Sequence, residues 1–394
     1  MTTQRVTFKT LLEILFVSTR LGLTSFGGPV AHLGYFHEEY VRRRKWMDEK
    51  AYADLVALCQ FLPGPASSQV GIGIGIVRGG ILGGITSFIG FTTPSVVALI
   101  LFALLLSGLD VSDAGWLYGL KVVAVAIVAH AILGMASKLT PDTKTRTIAF
   151  FALAGVLLWQ TTFSQVLFIL LAALAGFLLF KPDRLDAKSS AFPISKRLGT
   201  VLLSIFGALL VILPILRETF ENQTIALFDS FYRAGALVFG GGHVVLPLLE
   251  RELVPAGFLS EEAFLAGYGA AQAVPGPLFT FASYLGTVIN GVPGGILATV
   301  AIFLPAFLLI LGALPFWDAL RHNPKVAGAL IGVNAAVVGI LIAAFYSPIF
   351  TSTVNGAVDF VFAAFLFVMI AYWKLPPWSL VIAGVLGGTL INLM

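Results

Sequence analysis

Residues 60–65 read Gln60-Phe61-Leu62-Pro63-Gly64-Pro65, and residues 272–277 read Gln272-Ala273-Val274-Pro275-Gly276-Pro277. In such a run the first proline ends the incoming helix and the glycine allows a sharp turn. The second proline fits the first position of the outgoing helix, where its missing N–H costs nothing. Both runs interrupt apolar stretches, and the composition says what surrounds them. Of 394 residues, 58% are hydrophobic and 11% charged, against about 25% charged in a soluble domain. Mean hydropathy is +0.95, and the apolar stretches are too many for one buried core, each crossing of the hydrocarbon needing about 20 residues. A water-soluble enzyme is excluded, and the sequence reads as an all-α polytopic membrane protein. The net charge of +4 has no soluble face on which to gather for nucleic acid, so it is read as topology. Cys59, the only cysteine, excludes an internal disulfide and a Cys-rich metal site. Arg5 and Lys9 precede a short apolar run that Glu13 and Arg20 interrupt, which reads as direct insertion in a plasma or inner membrane without a cleaved signal.

The two Pro-Gly-Pro runs belong to a longer repeat. Residues 19–25 and Phe26-Gly27-Gly28 are echoed by 232–238 and Phe239-Gly240-Gly241, Arg20 matches Arg233, Gly83-Gly84 matches Gly294-Gly295, Pro94 matches Pro305, and Gly119 matches Gly332, placing Lys121 opposite Asn334. Three parts follow: an N-terminal repeat over 1–180, a linker with an extra transmembrane helix over 181–223, and a C-terminal repeat over 224–394. Basic residues accumulate in cytoplasmic loops. The first repeat carries Arg42-Arg43-Arg44-Lys45 and a basic 138–146 loop, with Asp110 and Asp113 on the acidic side. In the second the signs change places, with Glu250-Arg251-Glu252, an uncharged 347–355, and Arg321 and Lys325. The repeats are therefore expected to be inverted, with segment 198–216 supplying the odd crossing. Segments 8–41, 48–78, 225–254 and 260–292 would then be re-entrant helical hairpins meeting near the membrane midplane. Full crossings are expected near 81–105, 116–136, 147–160, 163–180, 198–216, 295–314, 327–346, 356–372 and 378–393.

Irregular backbone at membrane depth survives only where it is buried in protein or lines a cavity, and paired interruptions in both halves point to a transporter's binding site. Four are matched here: Gly27-Gly28-Pro29, Pro63-Gly64-Pro65, Gly240-Gly241-Gly242 and Pro275-Gly276-Pro277. One alone is as readily a packing kink; four in register favour a site. The first free N–H groups of the outgoing helices make a natural anion seat. Ser67, Ser68 and Thr280 add hydroxyls, and Gln60 and Gln272 add amide donors. Arg20 and Arg233 precede their glycine tips by about 9 Å of helix, suited either to reaching the cavity or to a structural salt bridge, with Glu13 a partner for Arg20. Lys121 and Asn334 are pathway candidates. His32, His37, His130 and His243 are candidates for proton handling, His243 foremost because it follows Gly240-Gly241-Gly242. No P-loop, zinc-protease helix or hydrolase elbow is present, so neither an enzyme nor a cofactor has a motif behind it.

The Phe26-Gly27-Gly28-Pro29 motif, the basic turn from Tyr40 to Trp46, and Gln60-Phe61-Leu62-Pro63-Gly64-Pro65, all repeated in weaker form, resemble the chromate ion transporter family in its long two-domain form. The resemblance implies an inner-membrane protein that expels chromate, driven by the proton motive force, with sulfate as a related anion. The second half departs at Gly242, opposite Pro29, and at Phe279, opposite Ser67, which leaves open whether both halves bind equally. A transporter or channel for sulfate or another small anion is the nearest alternative. The glycine face of Gly71, Gly73 and Gly75 would suit a homodimer or packing within the subunit.

Overall fold

The computed structural model describes residues 7–26, 28–107, 115–159, 162–180, 194–239, 242–317 and 323–393, and among them every regular element is a helix. In the first half these are α1 (Phe8–Thr24), α2 (Gly28–Phe36, continuing as a π-helical turn His37–Arg43), α3 (Glu49–Phe61), α4 (Ala66–Ser107), α5 (Gly115–Leu139), α6 (Thr143–Leu158) and α7 (Thr162–Leu179). Then come α8 (Lys196–Thr219), α9 (Gln223–Leu237), α10 (Val245–Leu253) and α11 (Glu261–Ala271). Last are α12 (Phe281–Ala313, entered by a 3₁₀ turn Leu278–Thr280), α13 (Pro324–Ala344), α14 (Ala357–Ala371) and α15 (Pro377–Asn392). Among the described residues, five helical segments are long and apolar enough to cross a bilayer: 66–106, 115–139, 196–219, 278–316 and 324–350. The protein is an all-helical, multi-pass membrane protein. Asp110, Asp113, Arg321 and linker residues 181–193 lie outside the described residues.

Local chemistry sets the element ends twice over. Asp48 caps α3 by accepting the Ala51 N–H at 2.8 Å, and Ser260, its counterpart, caps α11 by accepting the Ala263 N–H at 3.2 Å. The long helices α4 and α12 both break: α4 at Gly79–Gly80, where Gly80 has φ +61°, and α12 at Asn290–Gly291, where Gly291 has φ +59°. Only glycine takes that conformation without strain. The first break comes one residue after Arg78, where the sequence placed the end of a hairpin. Each helix then folds back closely on itself, Gly75 against the Gly83 carbonyl and Gly286 against the Gly294 carbonyl. Gly71, Gly73 and Gly75 thus face Phe36, Leu55 and Gly83 of the same chain, so this small-residue face packs within the subunit.

The halves exchange contacts reciprocally. Helix α5 packs against α14 and α15, while α13 packs against α6 and α7; α1 lies on α4 as α9 lies on α12, and α4 meets α12. Equivalent elements meeting in exchanged pairs are the mark of a two-fold relation. The same exchange operates at the tips: the Gly64 N–H donates to the Val238 carbonyl at 2.7 Å, and the Gly276 N–H donates to the Ser25 carbonyl at 3.0 Å. Gly119 and Gly332, matched by sequence, are both helix-crossing points, where an added methyl would collide with the backbone carbonyls of Gly384 and Ala172. Backbone cannot yield as a side chain can, so Gly332→Val should cost about 1–3 kcal/mol, read as a lower thermal midpoint of the detergent-purified protein. Gly134→Ala, on α5 with open space around it, should leave the midpoint unchanged or raised.

Candidate functional site

A cavity of about 500 Å³ lies where the halves interlock, with Gly28, Pro29 and Tyr35 of α2 on one side and Gln272, Gly276 and Leu278 on the other. His130 of α5, His243, and Lys374 from the short turn between α14 and α15 complete its polar lining. Helices that begin at its wall include α2 at Gly28, the 3₁₀ entrance to α12 at Leu278 and α15 at Pro377, and their starts carry unpaired N–H groups and the positive end of the helix dipole. Gln272 contributes to the lining, but its Nε2 is itself buried out of contact with the space. Among the described residues the lining contains no carboxylate. Lys374 holds φ +56° in the left-handed turn that ends α14, where the Leu375 N–H donates to the Met369 carbonyl at 3.0 Å.

The candidates from sequence divide between this cavity and other places. Gly28, His243, Gln272 and Gly276 line it. Pro275 and Pro277 flank Gly276, and the Thr280 hydroxyl is turned back onto the Pro277 carbonyl at 2.7 Å. Gly27, Gly240 and Gly241 lie outside the described residues. Pro63-Gly64-Pro65 is directed into the second half, where Gly64 sits against Gly235 and Ala306. The four tips therefore do not share one cage. Gln60 is exposed on α3. Ser67 and Ser68 are buried, Ser67 within 3.3 Å of His32 Nδ1. Lys121 and Asn334 sit on α5 and α13, outside the cavity lining. His37 pairs with Glu49, and His243 Nδ1 lies 2.6 Å from the Tyr268 hydroxyl. Tyr35 and Lys374 were not anticipated; the one available signal was a lysine ahead of Pro376-Pro377 between two short spans.

Arg20 and Arg233 are held in equivalent ion pairs and are absent from the cavity wall. Arg20 binds Glu39, which also accepts from Arg44 at 2.6 Å. Glu13, the partner anticipated for Arg20, instead takes Arg44 and Arg78, both at 3.1 Å. Arg233 binds Asp229 at 2.7 Å and Glu252 at 2.9 Å, and Arg217 reaches the same two carboxylates. At Glu39, burial pushes the carboxyl up, but the Arg44 hydrogen bond and the charges of Arg20, Arg44 and Arg43 outweigh it and hold it below its ordinary 4.5. That pairing contributes stability above the ordinary value and loses it as pH falls through the lowered one.

Comparison with known proteins agrees with the doubled architecture. The family profile described as chromate transporter matches twice, over residues 12–177 and 225–389. The chain belongs to the chromate transporter family. It is 32% identical to a probable chromate transport protein of Synechococcus elongatus, over 82% of this chain and 80% of the relative. It is 29% identical to a chromate transport protein of Cupriavidus metallidurans, over 84% of this chain and 81% of the relative. An uncharacterized transporter of Methanocaldococcus jannaschii is similar at 27% identity over 84% of this chain and 83% of its own length. Family membership supports a role in chromate transport.

In this family member the two ion-pair clusters differ in how much they depend on one arginine. Asp229 is fully buried and Glu252 nearly so, and removing a partner from buried charge costs about 3–5 kcal/mol. Arg233→Ala should fall at the low end, about 3 kcal/mol, since Arg217 remains at 3.0 and 3.4 Å. Arg20 is 39% exposed and leaves Glu39 with Arg44, so Arg20→Ala should cost about 1 kcal/mol or less. Thermal unfolding of the two purified variants checks the order; equal midpoints would show the clusters to be energetically alike.

Proposed function

We propose that the chain exports chromate from the cytoplasm by alternating access, the two halves being inverted repeats that rock about the cavity between them. What supports this reading is the cavity wall: helix starts, the Lys374 ammonium and two imidazoles, with no carboxylate among the described lining residues. Chromate is a tetrahedral dianion, and dispersed N–H donors suit several orientations of such a guest better than one fixed cation would. The arginine-rich turn at Arg42–Lys45 marks the cytoplasmic face under this topology. An interior-negative potential then favours export by about 2.3 kcal/mol per charge per 100 mV, about twice that for a dianion. Proton motive force supplies this through its electrical part, and His130 and His243 are placed to add proton coupling. Sulfate shares the shape and charge of chromate and is the second reading.

Reconstituted liposomes test this. Chromate flux should appear with the wild-type chain, rise under an assisting potassium-diffusion potential and fall under an opposing one, and be inhibited by sulfate in proportion to shared affinity. A hydrogen bond to a charged group is worth about 1.5–3 kcal/mol, so Lys374→Ala should raise the half-saturating chromate concentration at least about ten-fold. Flux of chloride in place of either oxyanion would remove the assignment.

A further inference from the structure

The two halves share a backbone plan but not an interior, and each serves as a control for the other. Around the Gly276 tip the first half is hydroxylic. His32 Nε2 lies 3.2 Å from the Ser25 carbonyl and its Nδ1 3.3 Å from Ser67 Oγ; a methyl on Gly276 would lie 2.9 Å from Ser95 Oγ. One helical turn beyond Phe36, Ser18 Oγ is 3.1 Å from both the Tyr40 hydroxyl and Ser87 Oγ, and Tyr40 adjoins Glu39 of the arginine cluster. Adding the repeat offset to these positions gives the second-half residues. Ser25, His32 and Tyr40 become Val238, Val245 and Leu253; Ser67 becomes Phe279; Ser18, Ser87 and Ser95 become Phe231, Ala298 and Ala306. The geometry supports this pairing: a methyl on Gly64 meets Ala306 where one on Gly276 meets Ser95, and Gly75 and Gly286 approach Ser87 and Ala298. Every member of both sets is buried.

Packing therefore does not demand the hydroxyls, since the same fold closes over aliphatic and aromatic groups in the other half. Ser18, Tyr40, Ser67, Ser87 and Ser95 bond to one another, to His32 or to backbone carbonyls, whereas Ser25 and neighbouring first-half polar atoms are left over. Ser25 Oγ, Ser68 Oγ, Thr92 Oγ1 and Gln69 Oε1 are buried with no hydrogen-bond partner, and each such group costs about 1–3 kcal/mol. A second asymmetry lies at the mouth. Arg20, Leu21, Thr24, Tyr35, Glu39 and Arg43 line a space of about 320 Å³ that shares Tyr35 with the central cavity. Its counterpart at Arg233, Ala234, Leu237, Leu248 and Glu252 holds about 20 Å³, roughly room for a single water.

We infer that the anion passes between the cavity and one face of the membrane through the first half alone, along the buried hydroxyl layer of Ser25, Ser67, Ser95 and Ser18, which becomes wetted during the cycle, while the second half is a permanent seal. This rests on the transport reading above and adds which half is the conduit. Exchangeable hydroxyl donors replace part of the hydration of an oxyanion without binding it as a fixed charge would. His32 and Tyr40, spaced i and i+8 on α2 and its π-helical extension with Phe36 between them, form one wall.

Thiol labelling in proteoliposomes tests it with nearly isosteric changes. Cys59 is buried and the sole native cysteine, so a Cys59→Ala background is silent. In that background Ser25→Cys and Ser95→Cys should react with a negatively charged methanethiosulfonate at least ten-fold faster than Val238→Cys and Ala306→Cys, and millimolar chromate should slow them. If none of the four reacts, the layer is a static polar core and the inference fails; if the second-half pair reacts as fast, the route is not confined to one half and it fails equally. Fast first-half labelling that neither chromate nor sulfate slows would keep the conduit and remove the oxyanion cargo.

Discussion

Backbone hydrogen bonding at the broken tips is the constraint on which the rest of this structure depends. In hydrocarbon no water is present to pair a freed N–H, and a Pro-Gly-Pro turn frees several. The fold meets this by crossing the halves: Gly64 donates to Val238 and Gly276 to Ser25. Each half thus completes the other's turn. The same crossing places α5 against α14 and α15 and α13 against α6 and α7, so the interlock runs from the tips to the outer helices. Neither half keeps its backbone paired without the other, and the cavity exists because the second-half tip is held against the start of α2.

Within that shared frame, what is symmetric and what is not follow different physics. Close approaches (Gly75 and Gly286, Gly119 and Gly332), the positive-φ breaks (Gly80 and Gly291) and the Arg–Glu pairs (Arg20–Glu39 and Arg233–Glu252) occur in both halves. These are what a helix needs to turn, cross or end in lipid. The side chains that differ line interior space. Asp229, fully buried and paired with Arg217 and Arg233, makes the second-half cluster a tighter anchor. Its partner Arg217 comes from α8, the helix lacking a counterpart in the first half. Gly199 of that helix also packs on Gly312 of α12, so the unpaired helix braces the second half.

The turns and the breaks were legible because they are written in consecutive residues. Proline and glycine act on their own backbone, so Pro-Gly-Pro and the interruption after Arg78 could be placed without knowing what lies nearby. The partners could not. Glu39 and Glu252 follow Arg20 and Arg233 by 19 residues in each half, and only the return of α2 and α10 brings them together. Both lie in sequence beside a charged turn, yet both are buried. The expectation of a four-tip cage failed for a similar reason: nothing local says that the first Pro-Gly-Pro faces the opposite half and not the cavity. Lys374 was invisible because its role comes from a turn between two short helices.

The cavity's size bears on what it can select. At about 500 Å³ it holds on the order of ten waters, each with about 30 Å³ as its share of liquid, so an oxyanion enters with much of its hydration. A wide, positively disposed, partly wet chamber selects by sign of charge, because stripping a dianion fully would cost far more than a few neutral donors return. Finer discrimination belongs where the passage narrows and water must be surrendered. In this molecule the buried hydroxyl layer is in the first half, beside Gly276 and the Phe36–Phe91 pair, whose rings lie 5.0 Å apart. Under the proposed transport reading, cavity charge and first-half hydroxyls would do different work: the former would admit oxyanions as a class, and the latter would set which of them gives up its water readily enough to pass.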